Sequence, residues 1–94
     1  AGAADVIGIY DGRESVLDFK QANKPKTKSM VKDYYVQAAA YAMAHNLMHG
    51  TKIQQAVILV SVRGGEVQRF IAKDKELQGF MWEFLRRVGQ FHSI

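Results

Sequence analysis

The sequence predicts one α+β (α/β) domain with its elements in the order β-β-α-β-β-α, and three observations carry that expectation. Asp11-Gly12, a dipeptide suited to a two-residue type I′ hairpin turn, lies between two strand-like runs. Ile53 to Val62 is a near-continuous apolar stretch of the kind a strand shows when both its faces are covered. From Asp74 onward Leu77, Phe80, Met81, Phe84, Leu85 and Val88 recur at helical spacing.

The first two strands are "AADVIGIY", residues 3–10, and "SVLDFK", residues 15–20. The loop "QANKPKTKS" follows and holds the only proline, Pro25. Ser29 is an expected N-cap for a helix reaching about His49, and Gly50 ends it. After the strand Ile53 to Val62, Arg63-Gly64-Gly65-Glu66 turns the chain into a shorter strand, "VQRFIA". The final helix keeps Glu83, Arg86, Arg87 and Gln90 on its wet side, and Phe80, Trp82 and Phe84 are expected in the core.

Bulk properties narrow the classes. With 94 residues, 48% of them hydrophobic, the chain can bury one core, so residues 1–94 read as a single domain with a single site. The absence of cysteine excludes disulfide frameworks and zinc-thiolate centres, which fits a reducing, intracellular setting. A metal must then sit on oxygen or imidazole. No apolar run has the length of a membrane span, and "AGAADVIG" lacks the pattern of a signal peptide. The net charge of +4 is modest support for a polyanionic partner.

Hairpin register brings the charged residues of the first two strands together. With Asp11 and Gly12 as the central turn residues, Tyr10 faces Arg13 and Asp5 faces Asp18. Directly opposed residues have Cβ atoms roughly 4.5–5.5 Å apart, so two carboxylates converge, with Lys20 next along the same face. Like charges opposed in this way destabilise a sheet, and Ile7, Ile9 and Val16 would desolvate them further. One resolution is a hard divalent ion such as Mg²⁺ or Mn²⁺, with the Phe19 carbonyl as a further oxygen ligand. The other is a solvated Asp5 at the chain start and an ordinary Asp18–Lys20 surface ion pair.

Gln37 and Tyr41 share a helical face that takes in Tyr34 and His45 or Met48, either as a functional face or as packing against the sheet beside Ala38, Ala39 and Ala42. Lys24, Lys26 and Lys28 make the loop after the second strand basic, and Arg63 and Arg69 are weaker candidates for the same electrostatic role. His45 and His49 have a spacing that can bind zinc, but they lie where a helix C-terminus already favours histidine.

Asp5, "LDFK" at Leu17 to Lys20, "KPK" at Lys24 to Lys26 and "QAAAY" at Gln37 to Tyr41 together carry a family likeness. With Gly2 ahead of Asp5, the chain resembles the PD-(D/E)xK nuclease superfamily in its RecB-like exonuclease branch, which takes in mitochondrial genome-maintenance exonucleases and phage and bacterial relatives. The resemblance implies a restriction-endonuclease-like core and metal-dependent hydrolysis of DNA, acting as an exonuclease on single-stranded ends in repair or recombination.

On this likeness Asp5, Asp18 and the Phe19 carbonyl would bind Mg²⁺ or Mn²⁺, and Lys20, Gln37 and Tyr41 would complete the catalytic set. Lys24, Lys26 and Lys28 would contact the nucleic acid. The setting it implies is intracellular, cytoplasmic or nucleoid, with a phage or organellar origin also compatible.

The sequence departs from the pattern in two places. The helix and strand that usually precede the motif Asp are missing, so the domain reads as N-terminally truncated, and a homo-oligomer is one way to compensate. Gln21 stands where many relatives have Ser or Thr. The alternative to an enzyme is a catalytically incomplete nucleic-acid-binding or assembly module that retains the fold.

Overall fold

The computed structural model describes residues 4–92. The elements are β1 (Ala4–Tyr10), β2 (Arg13–Ala22), a one-turn 3-10 helix (Ser29–Val31), α1 (Lys32–His49), β3 (Gln55–Val62), β4 (Val67–Lys73) and α2 (Lys75–His92). Gly2 and Ala3, expected in the family motif and at the start of the first strand, lie outside the described residues.

This is an α+β fold whose element order differs from the expected one by the 3-10 turn before α1. Ser29 is therefore not the N-cap of α1. It opens the 3-10 turn, its hydroxyl 3.1 Å from that of Thr27, and Val31 stands at the α1 N-cap position without a side-chain capping bond. At the other end Gly50 takes a left-handed φ of 67° and donates its N–H to the Asn46 carbonyl, as expected of a glycine that stops a helix.

The four strands form one mixed sheet in the order β1-β2-β3-β4. The outer pairs are antiparallel and the central β2–β3 pair is parallel, with α1 as its crossover. Asp11 and Gly12 have φ of 50° and 75°, the double positive signature of a type I′ turn. The register follows, with Tyr10 opposite Arg13, Ile7 opposite Val16 and Asp5 opposite Asp18.

Alternation along the strands divides the sheet into two faces. One carries Val16, Ala56, Ile58, Val60, Val62 and Ala72 into a core shared with Val31, Tyr35, Ala38, Ala39 and Ala42 before and within α1 and with Leu77 of α2. Alanines at the α1 contact let the helix approach closely, and Tyr35 stacks on Phe80 of α2 at 4.8 Å between centroids. Asp5, Asp18 and Lys20 share this helix-bearing face.

The other face carries Val6, Leu17, Phe19, Val57, Leu59, Val67 and Ile71. Val57 is fully buried there between Leu17 and Ile71, as expected for β3, although Phe19 is 46% exposed. In α2, Leu77 is buried and Phe80 and Met81 pack on the core, but Trp82 is 72% exposed and does not join it. Trp82 falls between the core-facing turns rather than on them. No helix of the described residues is long and apolar enough to cross a membrane.

Candidate active site

The hairpin delivers Asp5 and Asp18 to the same spot, and the helix layer closes over it. Asp18 is fully buried. Three carboxylate oxygens, Asp5 Oδ1 and both Oδ atoms of Asp18, are buried without a hydrogen-bond partner. Such groups carry a desolvation cost of about 1–3 kcal/mol each, more when charged, unless something else completes them.

Among the described residues the cation paired with them is Lys20. Lys20 Nζ is 3.5 Å from Asp18 Oδ2, close enough for attraction but beyond a good charge-assisted bond. Burial and the neighbouring Asp5 charge push the Asp18 carboxyl up to about 6, against the opposing pull of Lys20. The solvated reading of this pair does not hold, since Asp18 is buried and Asp5 presents a buried oxygen.

Lys20 is in turn positioned by α1. Its Nζ lies 3.4 Å from Gln37 Oε1 and 4.7 Å from the centre of the Tyr34 ring. The amide acceptor and the π face both favour an ammonium at this position. Tyr34 was legible only as a member of the Gln37 face, and its partner was not. Tyr41 lies one turn beyond Gln37, is 39% exposed, and makes no hydrogen bond to the carboxylates among the described residues.

Phe19 points its side chain to the opposite face, so it can take part only through its backbone carbonyl. Asp5, Asp18, Lys20 and Gln37 thus converge, whereas Tyr41 stands at the rim. Among the described residues no cluster of three or more His, Cys, Asp or Glu side chains converges. The candidate donor set is two carboxylates and main-chain oxygen, all hard ligands, and its orphaned oxygens fit a hard divalent cation.

The three loop lysines have different surroundings. Lys26 is anchored by its backbone, its N–H donating to Gln68 Oε1 at 2.7 Å and its carbonyl accepting from Gln68 Nε2 at 2.9 Å. Lys28 pairs with Glu76 at 2.8 Å. Lys24 has no partner among the described residues and is the lysine most available to a ligand. The Gln68 clamp has no signal in the sequence, because it depends on which residue β4 sets beside the loop.

The remaining candidates resolve into structure. His45 Nδ1 is 2.9 Å from Thr51 Oγ1, in a cluster where Asn46 caps the Thr51 hydroxyl and the Ile53 backbone, which ties the end of α1 to β3. The His45 and His49 rings lie 4.5 Å apart. Arg69 donates to the Tyr10 hydroxyl at 2.7 Å and braces the two outer strands across the open face. No family model and no curated protein matches this chain.

Proposed function

We propose that the protein is a Mg²⁺- or Mn²⁺-dependent nuclease that hydrolyses DNA, working as an exonuclease on single-stranded ends. The observation that carries this reading is the set of three buried carboxylate oxygens on Asp5 and Asp18 without a hydrogen-bond partner, one of which, Asp18 Oδ2, lies 3.5 Å from Lys20 Nζ. The resemblance of Asp5, "LDFK" and "QAAAY" to the PD-(D/E)xK pattern adds the substrate class and the preference for ends.

Asp5 and Asp18 would hold the cation, which supplies Lewis-acid polarisation of the phosphodiester and acidifies the attacking water. Lys20 faces the same spot and offsets the charge that builds on the phosphoryl oxygens. Gln37 and Tyr34 keep Lys20 turned towards the carboxylates. Water adds to phosphorus, the bond to the leaving oxygen breaks, and the proton released by the water ends on that oxygen through solvent. Lys24 and the Gln68-anchored Lys26 draw the strand in.

The test is cleavage of end-labelled linear single-stranded DNA beside a circular single strand, in Mg²⁺ and in Mn²⁺, by the wild type and Lys20→Ala. Loss of the linear strand alone, abolished in the variant, is the expected result. No cleavage by the wild type in either metal contradicts the reading and leaves a binding or assembly module in its place.

A further inference from the structure

β2 and β3 run parallel and end together, with Ala22 paired with Val62 and the Arg63 N–H bonded to the Ala22 carbonyl at 2.9 Å. At this shared carboxyl end lies an open, solvent-facing cavity of about 450 Å³ lined by Gln21, Ala22, Asn23, Ser61, Val62 and Arg63. In open sheets the crevice beyond the carboxyl ends of parallel strands is where ligands settle, because side chains diverge there and leave room.

The lining has a definite chemistry. Gln21 and Ser61 are register partners on the open face, and Asn23 and Arg63 continue their two strands. None of these four polar side chains has a hydrogen-bond or ion-pair partner among the described residues. Three neutral hydrogen-bonding groups around one guanidinium match an oxyanion with several acceptors, and a phosphodiester is such a group. No carboxylate lines the cavity to oppose it.

Position joins this cavity to the candidate active site. Lys20 is paired with Val60, so Arg63 lies three residues further along the adjacent strand, a span of ~10 Å at the usual rise. A strand held at Lys20 reaches the cavity within a few nucleotides by crossing the end of the sheet. Gln21 stands next to Lys20 in the chain and lines the cavity.

We infer that the Gln21–Asn23–Ser61–Arg63 cavity is a phosphate subsite that holds the backbone of the single strand a few nucleotides from the cleaved bond, past the end of the sheet. This rests on the nuclease reading for the identity of the ligand and on the cavity alone for its existence. Arg63 supplies charge and the three neutral side chains fix orientation, without reading sequence.

The experiment measures binding of a fluorescent single-stranded oligothymidylate in EDTA, where no cleavage occurs, over a series of salt concentrations. The proteins are the wild type, Arg63→Gln and Gln21→Ala, with inorganic phosphate as competitor and a thermal melt of each. The expected result is binding weakened about tenfold by Arg63→Gln, with the salt slope reduced by about one, unchanged melting, and a smaller loss for Gln21→Ala.

Equal binding and equal slope for Arg63→Gln would overturn the inference, as would a wild type that does not bind. Competition by phosphate at concentrations where added chloride has no effect supports a phosphate site, and competition no better than chloride contradicts it. The nuclease reading can fail separately, since cleavage is not read here. A wild type that cleaves in Mg²⁺ while Arg63→Gln binds normally would sink the subsite and spare the nuclease.

Discussion

Two buried polar clusters lie on opposite faces of the same sheet, and they are finished differently. On the open face Ser15 and Gln55 are buried, and Gln55 Nε2 donates to the Tyr10 carbonyl at 2.9 Å and the Ser15 hydroxyl at 2.8 Å. The Ser15 hydroxyl donates onward to the Arg13 carbonyl at 2.9 Å. On the helix-bearing face Asp5 and Asp18 leave three buried oxygens with no hydrogen-bond partner. The first arrangement closes on itself and stabilises the join between β1, β2 and β3. The second has an ion pair with Lys20 at 3.5 Å but no hydrogen bond to its buried oxygens, and on the proposed reading a cation completes it.

The largest stability effect expected from this contrast is on the satisfied side. Gln55→Ala removes the donor shared by the Tyr10 carbonyl and Ser15, and urea unfolding is expected to lose about 1–3 kcal/mol. An unchanged midpoint would mean that this cluster contributes nothing.

On the unsatisfied side the sign reverses. The folded-state value of Asp18, pushed up to about 6 from 3.8, means that the folded chain binds the proton more readily than the unfolded chain. Stability of the metal-free protein is therefore expected to fall as pH rises through the window from about 4 to 6. Asp18→Asn should remove that slope and match or exceed wild-type stability at pH 7. A wild type that gains stability over that window would break the comparison.

The smallest effect belongs to the surface. Lys28→Ala cuts the exposed pair with Glu76 and is expected to change stability by less than about 0.5 kcal/mol, while Lys24→Ala weakens oligonucleotide binding without touching stability. Equal losses of DNA affinity in both variants would show that the Lys28–Glu76 pair opens freely.

What was legible in the sequence follows the range over which each force acts. Asp11-Gly12 is a local signal, and it fixes the register that places Asp5 opposite Asp18. The α2 periodicity is also local and holds for Leu77, Phe80 and Met81, but Trp82 was misplaced because hydrophobicity alone does not fix which side of a helix a ring takes. Ser29 misled for a related reason: a hydroxyl before a helix caps it only if the first turn is α, and here that turn is 3-10. The contacts of Lys20 with Gln37 and Tyr34, the Gln68 clamp on Lys26 and the cavity at Arg63 all join segments distant in sequence. The family likeness already implied Lys20 and Gln37 in one site, but the Tyr34 contact, the Gln68 clamp and the cavity have no local signature, so only the packed chain discloses them.

The central claim, that Asp5 and Asp18 are completed by a bound cation, is tested most directly by titrating Mn²⁺ into the wild type and Asp18→Asn by calorimetry at neutral pH, with a thermal melt at saturation. The account predicts a saturable site in the wild type with a raised melting temperature, by about 2–3 kcal/mol of linkage when the metal is at a hundred times its Kd, and neither effect in Asp18→Asn. Identical titrations for the two proteins, or no heat and no shift in the wild type, would contradict it.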